Sequence, residues 1–189
     1  MNSVIRSFIA IDIPQVVTEK FYRLSLSIKS EVKDLRPTLP QNIHLTLKFL
    51  GNVEALLIEQ IKNVLDNTAG NSKKIEMQFG KIGAFPNLKS PRVLWIAPQR
   101  GAEAIKELKE KLDNQLFALG IKKDDKIFKT HITIARLKKR KAGLDFKHLL
   151  NSKVDIKDEI TIGTIHLYKS SLTPKGPIYT KLHSSPFKN

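Results

Sequence analysis

Histidine and threonine recur at one short spacing in two places, His44-Leu45-Thr46 and His131-Ile132-Thr133. An imidazole has an unperturbed pKa of about 6.5, so at neutral pH one histidine can hold a proton while its twin accepts one. Displacement at phosphorus calls for such a pair. The attacking and leaving oxygens lie roughly in line, which puts a base and an acid on opposite sides of the phosphorus atom. A threonine hydroxyl beside each histidine can donate to a non-bridging phosphoryl oxygen, and nearby cations offset the charge of the transition state. The scheme calls for no metal ion and no other cofactor. One His-x-Thr alone describes an ordinary partly buried histidine; two copies in matching surroundings carry the inference.

Those surroundings are strands. In Asn42-Ile43-His44-Leu45-Thr46-Leu47-Lys48-Phe49-Leu50-Gly51, His44, Thr46 and Lys48 share one face of an extended chain, and Leu45, Leu47 and Phe49 share the other. In Thr130-His131-Ile132-Thr133-Ile134-Ala135-Arg136 the same alternation sets His131 and Thr133 against Ile132 and Ile134. Strict alternation gives Arg136 the opposite parity to His131, so it reaches the histidine's face only if the strand ends or bulges there.

The remaining elements must bring these strands together. Alternating isoleucines predict a strand over 5–13, closed by Pro14. Apolar residues at spacings of three and four predict helices over 15–33, from Val53 to near Gly70, and over 102–119, the last with Gly120 at a left-handed cap. A hairpin is predicted from 76–85 and 92–97, and the second His strand over about 128–137. A basic run, Lys138 to Lys141, follows, then a short helix at 144–150, a long strand over 159–169 and a last strand over 178–183. Strand, helix, His strand and helix occur twice, a weak internal duplication within one domain spanning 1–189. Strands interrupted by helices without uniform βαβ spacing predict an α+β fold with antiparallel sheets.

Lys and Arg number 33 against 18 Asp and Glu, a formal charge of +15 that attracts polyanions, nucleic acid first among them. The absence of cysteine excludes disulfides, thiolate metal sites and a cysteine nucleophile. Neither a leader nor an apolar run of membrane-spanning length stands out, so a cytoplasmic location is expected.

With these residues in view the chain resembles the two-histidine (2H) phosphoesterase superfamily, and more narrowly the RNA 2′,3′-cyclic phosphodiesterases, also called 2′-5′ RNA ligases. The resemblance rests on Arg6-Ser7-Phe8-Ile9-Ala10-Ile11-Asp12, both His-x-Thr stretches, Arg92-Val93-Leu94-Trp95 and Ser171-Leu172-Thr173-Pro174-Lys175-Gly176-Pro177-Ile178-Tyr179. It implies a bilobal α+β fold, two antiparallel sheets related by a pseudo-twofold axis, helices on the outer faces and a central cleft. It further implies metal-independent hydrolysis of a terminal 2′,3′-cyclic phosphate on RNA to a 2′-phosphate, with 2′-5′ joining as a companion reaction. His44 then matches the proton donor to the leaving 3′-oxygen and His131 the base for water. Thr46 and Thr133 match the phosphate-binding threonines. Arg136, Lys48, Arg6 and Phe8 are further candidates for substrate contact; His148, His166 and His183 are structural. Many relatives carry proline before the second histidine, where this chain has Thr130. The implied partners are RNA ends, tRNA and its fragments among them, met by a monomer. Two other readings remain: a noncatalytic RNA-binding module, and a cyclic phosphodiesterase of small nucleotides.

Overall fold

A computed structural model describes residues 3–138, 158–174 and 176–188. The helix expected at 144–150, His148 and the last three residues of the basic run, Lys139 to Lys141, lie outside them.

In chain order the elements are β1 (Val4–Asp12), α1 (Gln15–Glu31), β2 (Leu35–Pro37), a 3-10 turn (Pro40–Asn42), β3 (His44–Glu54), α2 (Ala55–Gly70), β4 (Ile75–Phe85), β5 (Val93–Arg100), α3 (Ala102–Ala118), β6 (Ile132–Leu137), β7 (Glu159–Ile162), β8 (Thr164–Thr173) and β9 (Gly176–Pro186). The helices follow the predicted stripes: Val17, Phe21 and Ile28 of α1 are buried, as are Ile105, Leu108, Leu112 and Leu116 of α3. At the start of α3, Gly101 takes a φ of 87°, and a Cβ there would meet the Glu76 carbonyl oxygen at 2.5 Å, so no other residue fits. Gly120 closes the same helix at a φ of 82°.

All strands pair antiparallel in the order β7-β4-β5-β6-β3-β1-β8-β9, with β2 added to β6. The middle of the chain forms one lobe, β4 to β7 with β2. The N-terminal strands β1 and β3 join the C-terminal β8 and β9 in the other. The two sheets implied by the resemblance are continuous, through one register pair, Leu45 with Ile132. Helices α1 and α3 pack on the first lobe and α2 on the second, where it also meets α3. The strand expected over 159–169 breaks at Gly163, because β7 pairs with β4 in one lobe and β8 with β1 in the other. Alternation along a strand carries no information about a change of partner.

Both His strands carry a bulge just after their threonine. Between Thr46, opposite Ala10, and Lys48, opposite Ile9, β3 holds one extra residue; between Thr133, opposite Trp95, and Ala135, opposite Leu94, so does β6. Leu47 and Lys48 are accordingly both buried, as are Ile134 and Ala135. An extra residue reverses the parity of every side chain beyond it. Phe49 and Arg136 therefore turn to the face of the histidines, and Lys48, which still lines the cleft wall, turns its ammonium to Asp113 and Asp124.

Lys48 is 2% exposed, with its ammonium 3.1 Å from Asp113 and 3.5 Å from Asp124. Lys109 pairs with the same two carboxylates, at 2.8 Å from Asp124. This cluster ties β3 and α3 to the loop that leads into His131. Two lysines match two aspartates, so removal of one leaves a buried charge in excess. The Lys48→Met variant is expected to lose about 3 kcal/mol of stability, measured as a lower urea midpoint, with Lys48→Met/Asp113→Asn recovering part of it.

Candidate active site

The Leu45–Ile132 pair fixes the geometry of the site. Both side chains are fully buried, so their neighbours along each strand point to the opposite face. Antiparallel register at this pair sets His44 across from Thr133 and Thr46 across from His131. In a regular ladder, diagonal partners such as the two histidines stand roughly 7–8 Å apart, room for one phosphoryl group. All four residues line one cleft of about 1680 Å³, together with Arg136, Arg36, Tyr179, Phe49 and Phe85.

Each histidine is held in the same way. His131 begins the strand from coil, one residue before β6, and its Nδ1 lies 2.6 Å from the Lys129 carbonyl oxygen. A carbonyl only accepts, so Nδ1 donates and Nε2 keeps a lone pair for the cleft. His44 is likewise hydrogen-bonded to the backbone of the residue two before it, Asn42. Aromatic rings fix both imidazoles. Phe8 stacks on His44 at 5.0 Å with 29° between planes, and Tyr179 meets it edge-on at 5.3 Å. Phe85 meets His131 edge-on at 4.9 Å. Thr130 is buried, its hydroxyl 3.4 Å from the Ala102 carbonyl.

Burial drives the His44 pKa down to about 4; the bond to Asn42 and the charge of Asp12 oppose the shift, and Arg136 adds to it. His131 is lowered as well, by burial first and by Arg136, against the bond to Lys129. Burial and cations disfavour imidazolium, so both rings are neutral in the free protein at pH 7. A reaction that needs one protonated and one neutral histidine is then fastest between their two pKa values. The kcat/KM profile is expected to peak below pH 6.5 and fall as pH rises through neutrality. An anionic substrate favours imidazolium, so the alkaline limb of kcat should stand at higher pH than that of kcat/KM; coincident limbs would contradict this.

Arg136 enters the cleft because of the β6 bulge, where strict alternation had it facing away. Across the β2–β6 pair it stands opposite Arg36, which also lines the cleft. Directly opposed like charges repel, and a bound anion relieves them. Phe8, expected as a substrate contact, is 2% exposed and lies beneath His44, packed against Tyr168 and Tyr179. Arg6 is exposed, outside the cleft-lining set, and close enough for its charge to act on the Tyr179 phenol. Lys48 presents its ammonium to Asp113 and Asp124, so its charge is already matched. Trp95 packs on Phe85, and Tyr168 stacks on Phe8 while its hydroxyl donates to Asp12. His166 bonds to Ser184 and His183 to Asp66. Tyr179, Arg36 and Phe85 had drawn no assignment. Tyr179 ends the Ser171–Tyr179 stretch that carries the resemblance, whereas Arg36 sits in a strand of three residues, too short to show a pattern. Among the described residues no group of three or more His, Asp or Glu side chains is arranged to hold a metal ion, and no helix is long and apolar enough to cross a membrane.

The model of the family described as LigT like phosphoesterase matches twice in tandem, over residues 11–95 and 96–179, each match enclosing one His-x-Thr. An RNA 2′,3′-cyclic phosphodiesterase of Methanocaldococcus jannaschii is 35% identical over 181 residues, covering 92% of this chain and 96% of that protein. One of Archaeoglobus fulgidus is 34% identical over 178 residues, covering 94% and 97%. Among solved structures, TT0787 of Thermus thermophilus superposes with a TM-score of 0.78 at 27% identity, over 96% of this chain and 97% of that one. Escherichia coli LigT complexed with 3′-AMP shares the fold, with a TM-score of 0.77 at 21% identity, over 99% and 100%. The chain belongs to the LigT-like phosphoesterases of the two-histidine superfamily and is a phosphodiesterase.

Proposed function

We infer that the protein opens 2′,3′-cyclic phosphates at the ends of RNA, leaving a 2′-phosphate and a free 3′-hydroxyl. The observation that carries this reading is the Leu45–Ile132 pair, which sets two histidines and two threonines around one space. Water attacks phosphorus as the bond to the 3′-oxygen breaks. His131 takes a proton from the water through Nε2, and His44 gives one to the departing oxygen. The deeper burial of His44 makes its protonated form the stronger acid, suited to a leaving alkoxide, and the substrate's negative charge favours that form on binding. Thr46 and Thr133 donate to the non-bridging oxygens, and Arg136 neutralises charge that builds there. Protons then exchange with solvent to restore the pair. A 5′-hydroxyl in the place of water would give a 2′-5′ linkage by the same transfers.

RNA is favoured over small nucleotides by the charge of +15 and by the names of the curated relatives. Side chains supply both proton transfers and the charge neutralisation, so turnover without a metal ion is part of the proposal. The test is an oligonucleotide ending in 2′,3′-cyclic phosphate, incubated with excess EDTA and followed by phosphorus NMR. A 2′-phosphate product supports the reading. Salt-sensitive binding without product would mark an RNA-binding module, and turnover of mononucleotides alone would remove RNA as substrate.

A further inference from the structure

Asp12, the last residue of β1, has no part in this chemistry, yet it stands directly opposite His44 in the β1–β3 ladder. Cross-strand partners share a face, with Cβ atoms about 5 Å apart, so a carboxylate flanks the imidazole from β1 while β6 brings His131 from the other side of β3. Asp12 is not among the residues that line the cleft. Three groups hold it: Lys181 Nζ lies 2.8 Å from one oxygen, Tyr168 donates its hydroxyl to the other, and His166 Nε2 is 3.4 Å away. The Tyr168 ring stacks on Phe8 at 5.2 Å with 14° between planes, and Phe8 in turn stacks on His44. One carboxylate thus anchors a column of three rings that ends in the His44 imidazole.

The charge of Asp12 bears on the same ring. Against burial, the bonds from Lys181 and Tyr168 hold its carboxyl below the usual carboxylate range, so Asp12 is ionised at neutral pH. Of the charges that act on His44, Asp12 favours imidazolium and Arg136 opposes it. The other groups packed on the ring, Phe8, Tyr179 and the Asn42 backbone, carry no charge at neutral pH. Lys181 offsets part of the Asp12 charge, and so does His166 once acid protonates it. We propose that Asp12 is the positioning residue for His44: it anchors the ring column behind the imidazole and faces the imidazolium that forms when His44 takes up a proton. The proposal rests on His44 as proton donor in the RNA-end reading, and gives the supporting role to a residue outside the cleft.

The test compares pH profiles of kcat/KM, on an oligonucleotide ending in 2′,3′-cyclic phosphate, for wild type, Asp12→Asn, Tyr168→Phe and Tyr168→Leu. Asparagine still accepts from the Tyr168 hydroxyl, so Asp12→Asn removes the charge and keeps the column. Its kcat/KM at pH 7 is expected to fall by about tenfold, with the profile displaced to lower pH, the opposite of the displacement expected for Arg136→Gln. Tyr168→Phe keeps ring and charge, so its profile should stay in place. Tyr168→Leu removes the outer ring and should lower kcat at every pH without displacing the profile. NMR titration of the His44 ring in the free protein reads the coupling without turnover, and the midpoint should be lower in Asp12→Asn than in wild type. Circular dichroism and the melting temperature check that each variant is folded. An unchanged His44 midpoint or an undisplaced Asp12→Asn profile overturns the proposal, as does full turnover by Tyr168→Leu. So does an Asp12→Asn variant faster at every pH, the result for a carboxylate that only repels the anionic substrate. A wild type that leaves the oligonucleotide intact overturns the RNA-end reading, and the role of Asp12 with it.

Discussion

Replacing His131 with alanine is expected to lower kcat on a cyclic-phosphate oligonucleotide by about a thousandfold, and His44→Ala to do the same. Positioned acid or base catalysis by a side chain is worth roughly 10² to 10⁴, and in the proposed mechanism each histidine acts in a transition state that needs both. The double variant should therefore be little slower than either single one. KM should change less than kcat, because neither imidazole carries a charge in the free protein to attract substrate. The controls differ for the two. His131 starts its strand from coil and packs on one ring, so His131→Ala should unfold near the wild-type temperature. His44 sits between Phe8 and Tyr179, and its loss leaves a gap there, so His44→Gln is the safer companion. Full turnover in either variant would remove that residue from the mechanism.

The second large effect concerns Arg136. After burial, its guanidinium helps to lower the pKa of both histidines, and it stands opposite Arg36 across the β2–β6 pair. Arg136→Gln removes a cation from the site of developing charge, with an expected loss of about 10² in kcat/KM, the scale of one stabilising donor. The same change removes a repulsion felt by both imidazolium forms, so the kcat/KM profile should shift to higher pH. The sign separates two roles. A residue that only bound the RNA chain would lower kcat/KM at every pH and leave the profile in place. Arg36→Gln, at the neighbouring position, should show a smaller loss and no comparable shift.

Much of this site was legible in the chain because its key residues come as paired patterns. Two copies of His-x-Thr in apolar strands of a basic protein point to one reaction, and the parity of His44, Thr46, His131 and Thr133 survives folding because all four precede the bulges. Parity failed beyond them. Lys48, Phe49 and Arg136 each lie after an extra residue, and nothing in the alternation of Leu47 or Ile134 marks it, since either residue suits a strand or a bulge. The burial of Phe8 was hidden for another reason. Its strand is covered on both faces, so alternation there separates two kinds of burial rather than inside from outside. The break at Gly163 was hidden because neighbouring strands of one apparent run pair in different lobes. The helices were plain, each having one buried stripe against the sheet.

The central claim is that strands remote in sequence bring His44 and His131 to one phosphorus atom. A crystal structure with a 2′-phosphorylated nucleotide bound tests it most directly. The phosphate should lie between the two imidazoles, with a nitrogen of each within about 2.6–3.2 Å of different oxygens on the same phosphorus, and with the Thr46 and Thr133 hydroxyls on the remaining oxygens. A phosphate held by one histidine with the other out of reach, or bound away from the Leu45–Ile132 pair, would contradict it.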